Sequence, residues 1–100
     1  MSSTNLLTED EIAAALDGLP HWRRSGSGES ITRTADAADF PTAIRVVVAV
    51  AEEAERLDHH PDIDIRWRTL TFTLSTHSAG GLTSLDFQLA ALIDRVFDTV

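Results

Sequence analysis

The hydrophobic pattern changes period once in the middle of the chain, at Pro61. Before it, from Phe40 onward, apolar residues recur at Ile44, Val47, Val48, Ala51, Ala54 and Leu57, the spacing of one helix face. After it they alternate: Ile63, Ile65 and Trp67, then Leu70, Phe72 and Leu74, the period of half-buried strands. Within 100 residues there is room for one core, so a long helix and a strand pair must share it. Pro41 suits the first helical turn. Val46, Ala49 and Val50 widen the apolar surface beyond what one sheet would cover, so this helix is either buried throughout or also meets a partner subunit.

The flanking segments fit the same plan. Thr8-Glu9-Asp10-Glu11 reads as a capping box, and Ile12, Ala15, Leu16 and Leu19 line the face of the helix it opens, which Gly18 and Pro20 close. His21–Arg24 and Ser30–Thr34 are short strands around a Ser25-Gly26-Ser27-Gly28 turn. Asp36 or Asp39 caps the long helix, and a tight reversal near Arg68-Thr69 separates the later strands. Ser78 to Gly81 is a loop, and Thr83 starts a last helix with Leu85, Leu89, Leu92, Ile93 and Val96 inward. The expected class is α+β: a four-stranded antiparallel sheet with three helices on one face, in the order α-β-β-α-β-β-α. Residues 1–7 read as a flexible N-terminal tail and 8–100 as a single domain.

Composition narrows the function. With no cysteine there is no disulfide framework, no thiolate nucleophile and no cysteine-ligated metal centre. The net charge of −8, with every basic residue an arginine, argues against nucleic acid as a partner. The longest mostly apolar run, Ala43 to Ala51, is interrupted by Arg45 and is far short of the roughly 20 residues of a membrane span. The N-terminal residues lack the basic start and apolar stretch of a signal peptide, so a cytoplasmic location is expected.

Four histidines remain as candidates for chemistry, since imidazole both gives and takes a proton near neutrality. His59 and His60 adjoin at the end of the long helix, and Pro61 forces His60 out of helical conformation, so the two rings point in different directions. Glu55 stands four residues before His59 and Asp58 beside it, where carboxylates fix imidazole tautomers. His77 ends the last strand, in Ser75-Thr76-His77-Ser78, next to a glycine loop. His21, beside Trp22, reads as structural, and Asp86 completes a capping box with Thr83. No His-x-x-x-His pair supports a metal.

Taken together, Glu55, three residues, His59-His60-Pro61, five residues, Trp67, nine residues, His77, eight residues and Asp86 form a pattern that resembles the signature of the pterin-4a-carbinolamine dehydratase family. Gly80-Gly81-Leu82-Thr83, Leu89-Ala90, Leu19 to Trp22, and Phe40 with Ala43 extend the resemblance over roughly residues 6–97. Ile63 and Leu85 depart from it, standing where some relatives carry tryptophan and arginine. The resemblance implies three helices on a four-stranded sheet and dehydration of 4a-hydroxytetrahydropterin to quinonoid dihydropterin, in tetrahydrobiopterin recycling. It implies His59, His60 and His77 as general acids and bases, with Glu55, Asp58, Ser75, Thr76 and Ser78 around the pterin and Asp86 behind them. No cofactor and no metal is needed. It further implies a functional link to an aromatic amino-acid hydroxylase, while the apolar excess on the long helix suits a homo-oligomer, expected as a dimer more than a tetramer. The alternative is a non-catalytic binding, assembly or transcription-coactivator module of the same fold.

Overall fold

The structure, a computed structural model, describes residues 5–100. Helix α1 (Glu9–Asp17) opens with the expected capping box: Thr8 Oγ1 accepts the Glu11 N–H, and the Glu11 carboxylate accepts the Thr8 N–H. Just before it, the Leu7 N–H donates to the Leu82 carbonyl at 3.0 Å, which ties the start of the domain to the loop ahead of the last helix.

Strand β1 (Arg23–Arg24) is only two residues long and pairs antiparallel with β2 (Ile31–Asp36), Arg23 opposite Thr32. Helix α2 (Phe40–Leu57) follows, with Asp39 rather than Asp36 as its cap, accepting the Thr42 N–H at 2.8 Å. Strands β3 (Asp62–Arg66) and β4 (Thr69–Leu74) form the second hairpin, and β4 also pairs with β2. The sheet order is β1-β2-β4-β3, so the two local hairpins meet at a central β2–β4 ladder and β1 and β3 are the edges.

Alternation along each strand sorts the two faces. Ile31, Leu70, Phe72 and Leu74 are fully buried beneath the helices. Burial of each such side chain contributes roughly 1.5–3 kcal/mol. Thr32, Thr34, Thr71 and Thr73 stand on the other face and pair hydroxyl to hydroxyl across β2 and β4, at 3.4 Å for Thr32–Thr73 and 2.9 Å for Thr34–Thr71. Helix α3 (Ser84–Thr99) is locked onto the sheet through Asp94, whose Oδ1 accepts from Trp22 Nε1 at 2.8 Å and from Arg33 at 2.5 Å. The Arg33 guanidinium also lies over the Phe97 ring, and Phe97 meets Phe72 edge to face.

Two sequence expectations need correction. The buried face of α2 is Ala43, Val46, Val50 and Ala54, whereas Ile44 and Val48 are 37% and 53% exposed and Ala51 faces outward. The middle of this helix is apolar around most of its circumference, so hydrophobic period alone fits more than one rotation. The reversal between β3 and β4 also falls earlier than expected, at Trp67-Arg68. Trp67 has φ 57° and is 72% exposed, so it does not continue the alternation of Ile63 and Ile65. Among the described residues, no helix is long and apolar enough to cross a membrane.

Candidate active site

The His59-His60 pair sits at a break in handedness. Helix α2 ends at Leu57, and Asp58 caps it in the left-handed region at φ 51°, with its N–H directed to the Ala54 and Glu55 carbonyls. Aspartate tolerates this conformation better than most residues other than glycine and asparagine. The turn sends the next two side chains apart. His59 swings inward, its N–H on the Ala54 carbonyl at 3.0 Å, and its side chain is buried, with only 8% of the residue exposed. His60 stays outside, and its Nε2 lies 2.9 Å from Glu55 Oε1.

Glu55 therefore meets His60 and not His59, the partner that regular helical spacing predicts. That spacing holds only while the helix continues, and the left-handed Asp58 advances the chain so that the second histidine falls over Glu55. The Asp58 side chain itself has no hydrogen-bond partner among the described residues.

What receives His59 is Asp86, at the third helical position of α3 and completely buried. Its Oδ1 is 2.6 Å from His59 Nε2. Its Oδ2 accepts the Thr76 hydroxyl at 2.9 Å and the Thr83 N–H at 2.9 Å. The Thr76 and Thr83 hydroxyls are themselves 2.8 Å apart. The capping box expected at Thr83 is present, and the same carboxylate also bridges the ends of α2 and β4. Every donor at this knot has an acceptor, as a buried carboxylate requires. Nε2 is thereby committed to Asp86, which leaves Nδ1 as the other nitrogen of the His59 ring.

The remaining residues surround this knot without joining it. His77 directly follows Thr76, opens a single 3₁₀ turn (His77–Ala79), and is exposed, as is Ser78. Neither side chain has a partner among the described residues. An antiparallel bridge between Thr76 and Gly81 closes the base of that loop. Gly80 lies at φ 79°, where a residue with a Cβ would be strained. The Ser75 hydroxyl donates to the Glu29 carbonyl at 2.7 Å, across to the first hairpin. Thr83 was not singled out for the site from the sequence. Its signal lay in the capping box, which shows a carboxylate returning to a helix start but not what else that carboxylate will hold.

The end of one helix, the start of another and the end of a central strand thus converge on a buried Asp–His pair flanked by two exposed histidines. Comparison with known proteins places the chain in a family. A profile of the pterin 4 alpha carbinolamine dehydratase family matches residues 5–96. A Nocardia farcinica protein that carries the family's name is 61% identical over 94 residues, covering 94% of this chain and 97% of that protein. A Roseiflexus castenholzii protein of the same name is 53% identical over 91% of this chain and 96% of its own length. Among solved structures, a transcriptional coactivator/pterin dehydratase from Brucella melitensis superposes with a TM-score of 0.90 at 38% identity, covering 93% of this chain and 99% of that one. The chain belongs to the pterin 4 alpha carbinolamine dehydratase family. A pterin dehydratase-like RuBisCO assembly factor of the α-carboxysome shares the fold alone, with a TM-score of 0.64 at 20% identity over 75% of this chain.

Proposed function

We propose that the protein dehydrates 4a-hydroxytetrahydropterins by general acid–base catalysis at His59, His60 and His77. The observation that carries this reading is the buried Asp86 carboxylate, which fixes the ring of His59 while His60 and His77 remain open to a substrate. The reaction is an elimination. An acid protonates the C4a hydroxyl, which leaves as water, and a base takes the N5 proton as the C4a–N5 double bond forms. Each correctly placed acid or base contributes typically 10²–10⁴-fold in rate.

In this reading Glu55 holds the His60 ring in place through its 2.9 Å contact. Thr76 acts through Asp86, because its hydroxyl is committed to the buried knot. Asp58 and Ser78 offer exposed polar groups to the pterin, and Ser75 contributes only its oxygen as acceptor, since its hydrogen goes to Glu29. The physiological setting is tetrahydrobiopterin recycling in the cytoplasm, downstream of an aromatic amino-acid hydroxylase. The working form is a homodimer, which would cover part of the apolar surface at Phe40, Ile44, Val48 and Ile65.

The test is a stopped-flow assay with 4a-hydroxytetrahydropterin generated in place and its ultraviolet decay followed. The protein should accelerate the decay, and His60→Ala and His77→Ala should each lower turnover by about 10²-fold or more with the far-UV circular dichroism unchanged. Full activity in either variant would remove that histidine from the mechanism. No acceleration by the folded wild type would favour the binding or assembly module.

A further inference from the structure

The sheet face turned away from the helices carries a second concentration of polar groups. Its position is set by Trp22, whose indole reaches Asp94 on the helical side at 2.8 Å. Alternation then turns His21 and Arg23 to the opposite face, where they line a cavity of about 320 Å³ together with Thr32 and Thr34. That is the size of a site for a small ligand, at the lower end of the roughly 300–1,000 Å³ range.

The occupants of this cavity wall are short of partners. Neither His21 nor the Arg23 guanidinium has a side-chain hydrogen bond or ion pair among the described residues. By contrast, Arg24 forks onto Glu9, Arg33 holds Asp94, and Arg66 holds Asp64. The two threonine pairs add hydroxyl capacity at the wall. In a hydroxyl pair only one hydrogen lies between the oxygens, so Thr32–Thr73 and Thr34–Thr71 each retain one to give elsewhere. A guanidinium fork, an imidazole and two threonine hydroxyls line the cavity with no carboxylate among them, a surface matched by the oxygens of a phosphate or carboxylate.

The surroundings limit the size of such an anion. Along the row Arg23–Thr32–Thr73–Asp62 the face changes from cationic at β1 to acidic at β3, where Asp64 adds a second carboxylate. An extended polyanion would run into those carboxylates on a chain of net charge −8. The four lining residues include none of the three histidines of the candidate site, and Arg23 lies three strand spacings, ~14 Å, from the strand that His60 and Pro61 lead into.

We infer that this cavity on the open sheet face is a binding site for a small oxyanion, a phosphate or carboxylate group held by Arg23 and His21 with Thr32 and Thr34. The test is a ¹H–¹⁵N correlation titration of the whole chain at fixed ionic strength, with inorganic phosphate in one arm and acetate in the other against a chloride reference. Saturable shifts centred on His21, Arg23, Thr32 and Thr34 are expected in at least one arm, with half-saturation at about 1 mM or below. The arm that saturates identifies phosphate or carboxylate as the group recognised. Arg23→Gln should weaken binding about tenfold or more, and His21→Ala should weaken it independently while pterin dehydration stays at the wild-type rate. Shifts that rise linearly in both arms would overturn the inference. So would shifts scattered over the surface, or unchanged affinity in either variant with a wild-type spectrum.

Discussion

At the scale of single residues, Asp86 and His60 belong to the same candidate site but answer different physical demands. Asp86→Ala leaves His59 Nε2, the Thr76 hydroxyl and the Thr83 N–H without their acceptor in a buried place. Each abandoned donor costs about 1–3 kcal/mol, so urea unfolding should give a loss of roughly 3 kcal/mol or more. His60→Ala removes only an exposed pair with Glu55, and its unfolding free energy should stay within about 0.5 kcal/mol of wild type. Turnover should fall in both. The sequence made the His59-His60-Pro61 step legible as two rings pointing apart. It did not say which ring goes inward, because that depends on one left-handed residue, Asp58, whose type permits the conformation without requiring it. Asp86 was readable as a cap for the same reason that its bond to His59 was not: the cap spans three residues and the bond spans twenty-seven.

At the scale of elements, the capping residues were the most legible part of the chain, since their partners lie within one turn. Thr8, Asp39 and Thr83 all stand at helix starts. Asp39 gives a pH prediction. Hydrogen bonding from Thr42, its side chain first and its backbone N–H second, holds the Asp39 carboxyl below the ordinary value of 3.8. A carboxyl depressed in the folded state stabilises above its unfolded pKa, and that contribution disappears as pH falls through the folded value. Thermal melts of Asp39→Ala should therefore show a lower Tm than wild type at pH 7, and the charge-dependent part of the gap should close as pH falls from 3.8 through the lower folded value. Asp39→Asn should retain most of the pH 7 stability, since its side-chain oxygen still caps. The rotation of α2 was less legible than its ends. Val46 and Val50 lie in the core while Ile44 and Val48 do not, and only the positions of β4 and α3 decide between them.

At the scale of the whole molecule, the sequence located both hairpins from local turn and alternation signals, but the β2–β4 ladder joins strands separated by the whole of α2 and carries no local mark. The outward stripe Phe40, Ile44 and Val48 follows the i, i+4, i+8 spacing along that helix. If this stripe covers the subunit contact, light scattering at micromolar concentration should give the mass of a dimer for the wild type and of a single chain for Val48→Glu. Because Val48 is already exposed, the substitution should leave the fold intact. The central ladder also determines how the sheet comes apart. The β4 backbone is flanked by β2 on one side and β3 on the other, whereas β1 covers β2 only at Ile31 and Thr32 and, among the described residues, no strand bounds the outer edges of β1 and β3. In deuterated water, the β2–β4 amides should exchange only through global unfolding, and the edge-strand amides through shallow local openings. The slowest protons of the sheet then report the stability of the entire fold, from a ladder that contains none of the histidines proposed to catalyse.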